Sequence, residues 1–240
     1  METVSSVTVD RSRPCFYFSL RSPYSWIAWH ELTSNHPQVL EAMRWIPFWE
    51  PDESTTALLN SAGASFPYTP MSRAKHLYVL QDVRRLADAR GLDVTWPLDA
   101  DPWWEPSHLA YILATDEQAG SRWIDRVYRA RWQEGLDVCD RDVIGELARE
   151  VGLDPDRLAG AVEDQALRER GAEMLLQACR GGIFGVPYFV NRFERFWGVD
   201  RLGRFLASLP QAAGASETEL EPALAGSSRS TDWGHAGGCG

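Results

Sequence analysis

The 240-residue sequence lacks several features that would assign it to particular protein classes. Its four cysteines, Cys15, Cys139, Cys179 and Cys239, show neither CxxC nor zinc-type spacing, so neither a disulfide framework nor a metal site is predicted. No apolar run reaches the ~18 residues that a membrane span requires, and the amino-terminal residues contain no signal-peptide run. A cytoplasmic protein that does not enter the membrane is expected.

Positive charge is also scarce. The chain carries 24 Lys and Arg against 34 Asp and Glu, a formal net charge of −10. Nucleic acids and anionic membrane surfaces bind basic faces, so neither is expected as a partner. The hydrophobic fraction of 44% is typical of a globular protein. The length allows one large domain with a sizeable insertion.

Strand and helix signals alternate at the start of the chain. The aromatic run Cys15–Ser19 predicts a buried strand, and a second strand is expected near Met43–Phe48. Between them, Ser22 followed by Pro23 predicts a helix start, because serine is a favoured N-cap and proline fits the first helical position. The stretch from Pro51 to Pro70 is rich in small and polar residues and predicts a long loop.

The middle of the chain is predominantly helical. Apolar residues recur at helical spacing in several segments, for example Val79, Val83 and Leu86. Strand character returns at Pro187–Val190 and continues into a hairpin at Arg195–Trp197. The predicted fold is therefore α/β, an open sheet interrupted by an all-helical insertion. We place the sheet domain at 14–65 and 181–209, the insertion at 66–180, and flexible termini at 1–13 and 210–240.

Two segments carry a resemblance to a known family. The first is Phe16–Trp26, in which a strand ends in S-P-Y-S. The second is Gly182–Val190, with F-G-V-P, followed by W-G-V-D-R within Phe196–Leu202. Together they resemble the DsbA-like branch of the thioredoxin superfamily, and within it the kappa-class glutathione transferases and the 2-hydroxychromene-2-carboxylate isomerases. The resemblance implies a thioredoxin-like, four-stranded sheet and allows a homodimer.

Serines decide which chemistry this turn can support. Ser22 and Ser25 stand where redox members of the superfamily carry C-x-x-C. A serine hydroxyl cannot form a mixed disulfide, so a disulfide oxidoreductase is not expected. The resemblance implies that Ser22 holds the thiolate of glutathione or another low-molecular-weight thiol at a helix N-terminus, with Tyr24 in the same cofactor site. The alternative is that Ser22 only caps its helix.

The resemblance implies further cofactor contacts. The Val186–Pro187 bond would be cis, and its backbone would pair with the thiol peptide as an added strand does. Val199 could contribute only backbone. Asp200 would bind the γ-glutamyl ammonium, or alternatively cap a helix. Arg201 would anchor the cofactor or pair with an acid, and Lys75 would bind a cofactor carboxylate or remain an exposed surface lysine.

Aromatic residues in the middle of the chain suggest a substrate pocket. Trp49, Trp104 and His108 could line a site for a flat substrate, although such residues more often belong to the core. The leading hypothesis is a thiol-dependent isomerase that adds a thiolate reversibly to a conjugated aromatic or enone substrate. The alternatives are a kappa-class-like glutathione transferase and a non-catalytic thioredoxin-fold binding module.

Overall fold

A computed structural model describes residues 12–67, 70–99 and 101–210. It contains four strands: β1 (Cys15–Phe18), β2 (Arg44–Pro47), β3 (Tyr188–Asn191) and β4 (Glu194–Trp197). Their order in the sheet is β2-β1-β3-β4. Strand β1 is parallel to β2 and antiparallel to β3, and β3 and β4 form an antiparallel hairpin. The predicted four-stranded thioredoxin-like sheet is confirmed.

Ten α-helices are present among the described residues. They are α1 (Pro23–Asn35), α2 (Pro37–Ala42), α3 (Glu53–Ser61), α4 (Arg73–Asp88), α5 (Glu105–Asp116), α6 (Gly120–Trp132), α7 (Arg141–Glu150), α8 (Pro155–Ala159), α9 (Gln165–Arg180) and α10 (Leu202–Ser208). The described residues between 66 and 180 contain helices and no strand, as the predicted all-helical insertion requires. None of the described helices is long and apolar enough to cross a membrane.

One prediction about the chain before the insertion is wrong. The segment from Pro51 to Pro70, predicted as a loop, contains α3. Asp52 caps this helix by accepting a hydrogen bond from the Thr55 N–H at 2.8 Å. Thr55 and Leu59 are buried, and the helix packs against α9. The composition of the segment is poor in strong helix formers, so this tertiary packing stabilises the helix.

Aromatic side chains fill the core on the face of the sheet that carries Phe16. The Phe16 ring stacks on that of Phe189 with 5.1 Å between centroids, and Phe189 stacks on Phe205 at 5.0 Å. All three rings are fully buried. Since Phe205 comes from α10, this last helix closes the core. The termini predicted to be flexible, 1–13 and 210–240, fall almost entirely outside the described residues.

Candidate functional site

Two loops meet at one end of the sheet. Tyr17 of β1 pairs with Tyr188 of β3, and beyond this pair the chain leaves β1 and enters β3. Four residues, Ser19–Ser22, which we call the serine loop, connect β1 to α1. The Val186–Pro187 bond, directly before β3, is cis, as predicted. The antiparallel register therefore places the serine loop and the cis-proline at the same end of neighbouring strands.

Ser22 is the N-cap of α1. Its Oγ accepts a hydrogen bond from the Ser25 N–H at 3.2 Å, so the capping interpretation is confirmed. Accepting this bond does not use the hydroxyl hydrogen, which can still be donated to a second partner. Ser25 is buried as Ser22 is, but its Oγ accepts a different N–H, that of Ser19, at 3.3 Å. The two serines thus have different surroundings.

A cleft of about 430 Å³ lies beside the cis-proline. It is lined by residues from α1, α4, the turn before β3 and the turn after β4. We call it the cis-proline cleft, and its lining residues are Tyr24, Tyr78, Asp82, Leu86, Val186, Pro187, Trp197, Gly198, Val199, Asp200 and Arg201. Six of the residues predicted to bind a cofactor are in this lining. Ser22 and Lys75 are not.

The turn after β4 depends on Gly198. The Gly198 N–H donates to the Pro187 carbonyl at 2.9 Å, which fastens the turn to the cis-proline. Gly198 has φ +100°, where side chains are disfavoured, and an added Cβ would meet Asp200 Oδ1 at 2.6 Å. Arg201 occupies the N-cap position of α10 without a side-chain cap bond, so Asp200 does not cap that helix. The Asp200 carboxylate instead accepts from Arg201 at 2.7 Å, and both side chains are more than half exposed.

Helix α4 forms the opposite wall of the cleft. Asp82 accepts a hydrogen bond from the Tyr24 hydroxyl at 2.9 Å, and its other oxygen accepts from Arg85 at 3.0 Å. The Tyr24–Asp82 bond joins α1 to α4 within the lining of the cleft. Tyr78 lies one turn before Asp82 and is 57% exposed at the rim. Lys75 lies almost one turn before Tyr78, in the first turn of α4, and its contact with a cofactor remains a prediction.

The three residues predicted to form a substrate pocket lie elsewhere. Trp49 and Trp104 are each 2% exposed and His108 is completely buried. The Trp49 ring stacks on His108 with 5.0 Å between centroids. None of the three lines the cis-proline cleft. Their burial agrees with the alternative interpretation as core residues, and a contact with substrate remains a prediction.

His108 is hydrogen-bonded through both ring nitrogens. Its Nε2 accepts the Leu20 N–H at 3.0 Å and lies 3.3 Å from Ser19 Oγ, while Nδ1 lies 2.7 Å from the Trp104 carbonyl oxygen. Burial, together with the nearby positive charges of Arg131 and Arg21, lowers the pKa of His108 to about 3. The ring is therefore neutral across the physiological range.

Two arginines surround Trp104. The guanidinium carbons of Arg21 and Arg131 lie 5.2 Å and 4.9 Å from its ring centroid. Arg21 also pairs with Glu50 at 2.9 Å, and Arg131 pairs with Asp99 through two bonds of 2.8 Å. Cations are attracted to the face of an indole, so the Trp104 ring holds Arg21 of the serine loop and Arg131 of α6. Trp104 therefore has a structural role in positioning these two arginines.

The predicted site residues do not include five residues of the lining: Tyr78, Asp82, Leu86, Trp197 and Gly198. The spacing of Tyr78, Asp82 and Leu86 places them on one helix face, which was a usable signal. No local signal could have linked Tyr24 to Asp82, because these residues are 58 positions apart in the chain. Only the packing of α1 against α4 brings them together.

A comparison with models of protein families identifies the family of this chain. The model of the DsbA-like thioredoxin domain matches residues 15–209. The chain belongs to the DsbA-like thioredoxin family. In this DsbA-like protein, serines occupy the turn between β1 and α1. The free cysteines that the structure describes are Cys15, Cys139 and Cys179, in other elements or loops.

Proteins similar to this DsbA-like protein in sequence or in structure include isomerases and a disulfide reductase. The 2-hydroxychromene-2-carboxylate isomerase of Sphingobium xenophagum is 26% identical over 192 residues, covering 78% of this chain and 92% of the relative. A solved 2-hydroxychromene-2-carboxylate isomerase superimposes with a TM-score of 0.65 at 21% identity, covering 81% of this chain and 93% of that one. The cytosolic disulfide reductase DsbM of Pseudomonas aeruginosa, solved with GSH, gives a TM-score of 0.53 at 19% identity and covers 81% and 92%. The two solved structures establish the fold.

Proposed function

We propose that this protein is a thiol-dependent isomerase. Its cofactor would be glutathione or another low-molecular-weight thiol, and its substrate a conjugated aromatic or enone compound of the 2-hydroxychromene-2-carboxylate type. The observation that carries the proposal is the cis-proline cleft, because one cavity combines a cis-proline backbone, an exposed Asp–Arg pair and the first turn of α1. The isomerase names of its sequence relatives support the same reaction class.

The cofactor thiolate would lie at the N-terminus of α1. Free N–H groups and the helix dipole stabilise negative charge at such a position. The Ser22 hydroxyl can add a charge-assisted hydrogen bond. Ser22 is only 1% exposed and does not line the cleft, so the sulfur would have to reach its hydroxyl past Tyr24, which follows two residues later and does line the cleft. The same setting lowers the pKa of protein thiols.

The remainder of the thiol peptide would occupy the cleft. The Val186 backbone would pair with the peptide as an added strand does. Asp200 would bind the γ-glutamyl ammonium, supported by the finding that its carboxylate caps no helix and is exposed. Arg201 and Lys75 would neutralise cofactor carboxylates at the rim. Val199 would contribute only its backbone.

The proposed reaction leaves the substrate's oxidation state unchanged. The thiolate sulfur adds to the electron-poor carbon of a conjugated C=C bond, and the displaced electron pair becomes an enolate on the carbonyl oxygen. The former double bond is now single and can rotate. Collapse of the enolate restores the C=C bond and breaks the C–S bond, which returns the thiolate. No disulfide exchange at this turn is part of the proposal, because serine cannot form a mixed disulfide.

Ser22→Ala tests the proposal. We expect a loss of about 0.5–2 kcal/mol in stability from the missing cap. The pKa of bound glutathione should rise by about one to two units, since one charge-assisted hydrogen bond to the thiolate is lost. Turnover of an aromatic enone should fall most near neutral pH and least at high pH, where the thiol ionises unaided. Thiolate absorbance and rate, each against pH, measure both effects.

Asp164→Ala is the matched control for the loss of a cap. Asp164 caps α9 by accepting the Leu167 N–H at 3.0 Å, and it does not line the cleft. This variant should lose comparable stability without a change in thiol pKa. If Ser22→Ala and Asp164→Ala behave alike, Ser22 is a cap and nothing more. A product whose mass includes glutathione would indicate a transferase, and glutathione binding without any turnover would indicate a binding module.

A further inference from the structure

The helical insertion holds the serine loop through hydrogen bonds to three of its residues. His108 on α5 accepts the Leu20 N–H at 3.0 Å, and the same Nε2 lies 3.3 Å from Ser19 Oγ. Tyr128 on α6 donates its hydroxyl to the Ser19 carbonyl at 3.0 Å, and Arg131, also on α6, donates to the Arg21 carbonyl at 3.4 Å. These loop residues directly precede Ser22. The two helices therefore determine the path by which the chain reaches the N-terminus of α1.

Of these bonds, the one from the Leu20 N–H to His108 places the strictest requirement on the protonation of its partner. A backbone N–H can only donate, so Nε2 of His108 must carry a lone pair. In a neutral imidazole the proton is then on Nδ1, where it is donated to the Trp104 carbonyl at 2.7 Å. The Trp49 ring, stacked on one face, fixes the plane of the imidazole. Tautomer and orientation are thus both determined by neighbouring groups.

No exposed path leads to this histidine. His108 is completely buried, and Leu20 is as well. An acid or base must exchange protons with substrate or solvent, which a ring with both nitrogens occupied inside the core does not do. By contrast, a buried N–H that loses its acceptor is costly, so the loop conformation depends on Nε2.

We propose that His108 is a positioning residue for the thiol site: by accepting the Leu20 N–H, it fixes the serine loop and thereby the direction of the Ser22 hydroxyl. This inference rests on the proposed function for its effect on the thiol. Its effect on the loop does not depend on that function. The insertion would then contribute to catalysis by fixing the conformation of the serine loop, without contacting the cofactor.

Two amide substitutions separate this role from general packing. In His108→Gln, the side-chain oxygen reaches the position of Nε2 and can accept the Leu20 N–H. In His108→Asn, the amide reaches only the position of Nδ1, so the Leu20 N–H loses its acceptor. Both variants place an uncharged amide in the same buried site. Ser107→Ala is the control for the Nδ1 side of the ring, because the buried Ser107 Oγ donates to the Trp104 carbonyl and lies 3.4 Å from His108 Nδ1, while the Nε2 that accepts from Leu20 is left in place.

We expect the Leu20 amide hydrogen to exchange about tenfold or more faster in His108→Asn than in His108→Gln or Ser107→Ala. With glutathione bound, His108→Asn should also hold about tenfold less thiolate near neutral pH, which corresponds to a pKa one unit higher. In His108→Gln, both the Leu20 exchange rate and the thiolate fraction should be close to those of the unsubstituted protein. In the unsubstituted protein, the ring-nitrogen NMR shifts should report the Nδ1–H tautomer.

Each negative outcome has a distinct meaning. Equal Leu20 exchange in the Asn and Gln variants, or an Nε2–H tautomer, would overturn the positioning role, even if His108→Asn proves too unstable to study. A difference in exchange without a difference in thiol pKa would also overturn it, because the loop would not control the thiol. Absence of glutathione binding in the unsubstituted protein would refute the proposed function while leaving the loop measurement valid.

Discussion

Individual buried polar residues of this protein have environments that affect its stability. Apart from His108, the clearest example is Glu105, which is completely buried at the start of α5. Its Oε1 accepts the Asp52 N–H at 2.8 Å, whereas Oε2 has no hydrogen-bond partner. Burial raises its pKa to about 7, and the negative charge of Asp52 also raises it. At neutral pH this carboxyl is therefore close to its titration midpoint.

The raised pKa of Glu105 predicts that the protein loses stability as the pH rises. Its folded pKa of about 7 lies above the ordinary value of 4.5, so the folded state binds the proton more tightly than the unfolded chain. The resulting stability is complete below the unfolded pKa and is lost as pH rises through the folded pKa. The total is about 3 kcal/mol. Glu105→Gln should remove this dependence, since glutamine does not titrate.

Urea unfolding of both proteins between about pH 5 and about pH 8 measures the effect. The stability of Glu105→Gln relative to the natural protein should improve from about pH 5 to about pH 7 and level off above that. A difference that stays constant with pH would show that Glu105 is already ionised in the folded state.

At the scale of elements, a buried ion pair joins α3 to α9. Arg168 donates through one nitrogen to both oxygens of Asp52, at 3.0 and 2.8 Å, and to Thr55 Oγ1 at 3.0 Å. Its other terminal nitrogen donates to the Val162 carbonyl at 3.0 Å. Asp52 is also the N-cap of α3, so one arginine fixes the start of a helix that local sequence alone did not predict.

Arg168→Met should destabilise the protein by about 3–5 kcal/mol, because Asp52 is left partly buried without its cation. The matched control is Arg170→Met on the same helix. Arg170 forms two bonds of 2.8 Å to Asp116, but both side chains are more than 40% exposed, so the loss should be about 0–1 kcal/mol. Chemical denaturation of the two variants gives the comparison, and equal losses would contradict the burial argument.

For the whole molecule, the described core ends with α10. Leu202 and Phe205 from this helix are buried against the sheet. The sequence after Pro210 is rich in Ala, Gly, Ser, Glu and Thr and has few large apolar residues to bury. The carboxyl-terminal boundary of the folding unit is therefore predicted at about Leu209.

Ending the chain after Pro210 should leave the melting temperature almost unchanged. Ending it after Arg201 should abolish cooperative unfolding, because this removes Phe205, which stacks on Phe189 in the core. Calorimetry of both shortened chains distinguishes the cases. A drop of many degrees in the longer one would place part of the core beyond Pro210.

The sequence by itself determined the features that depend on neighbouring residues. The aromatic run of β1, the Ser22–Pro23 start of α1 and the hairpin β3–β4 all follow from local preferences, because each needs only a few consecutive residues to be recognised. The motif around Pro187 predicted the cis bond that the structure shows between Val186 and Pro187. For these elements the predicted positions differ from the observed ones by about one or two residues, as is usual for element ends.

Tertiary structure alone decided the features that join distant parts of the chain. Helix α3 forms because α9 and Arg168 stabilise it, and Tyr24 meets Asp82 because α1 packs against α4. His108 could not be recognised as a partner of Leu20, since 88 positions separate them. The reason is physical: burial and hydrogen-bond satisfaction depend on the complete fold, so a polar residue's role is set by neighbours that the local sequence does not contain.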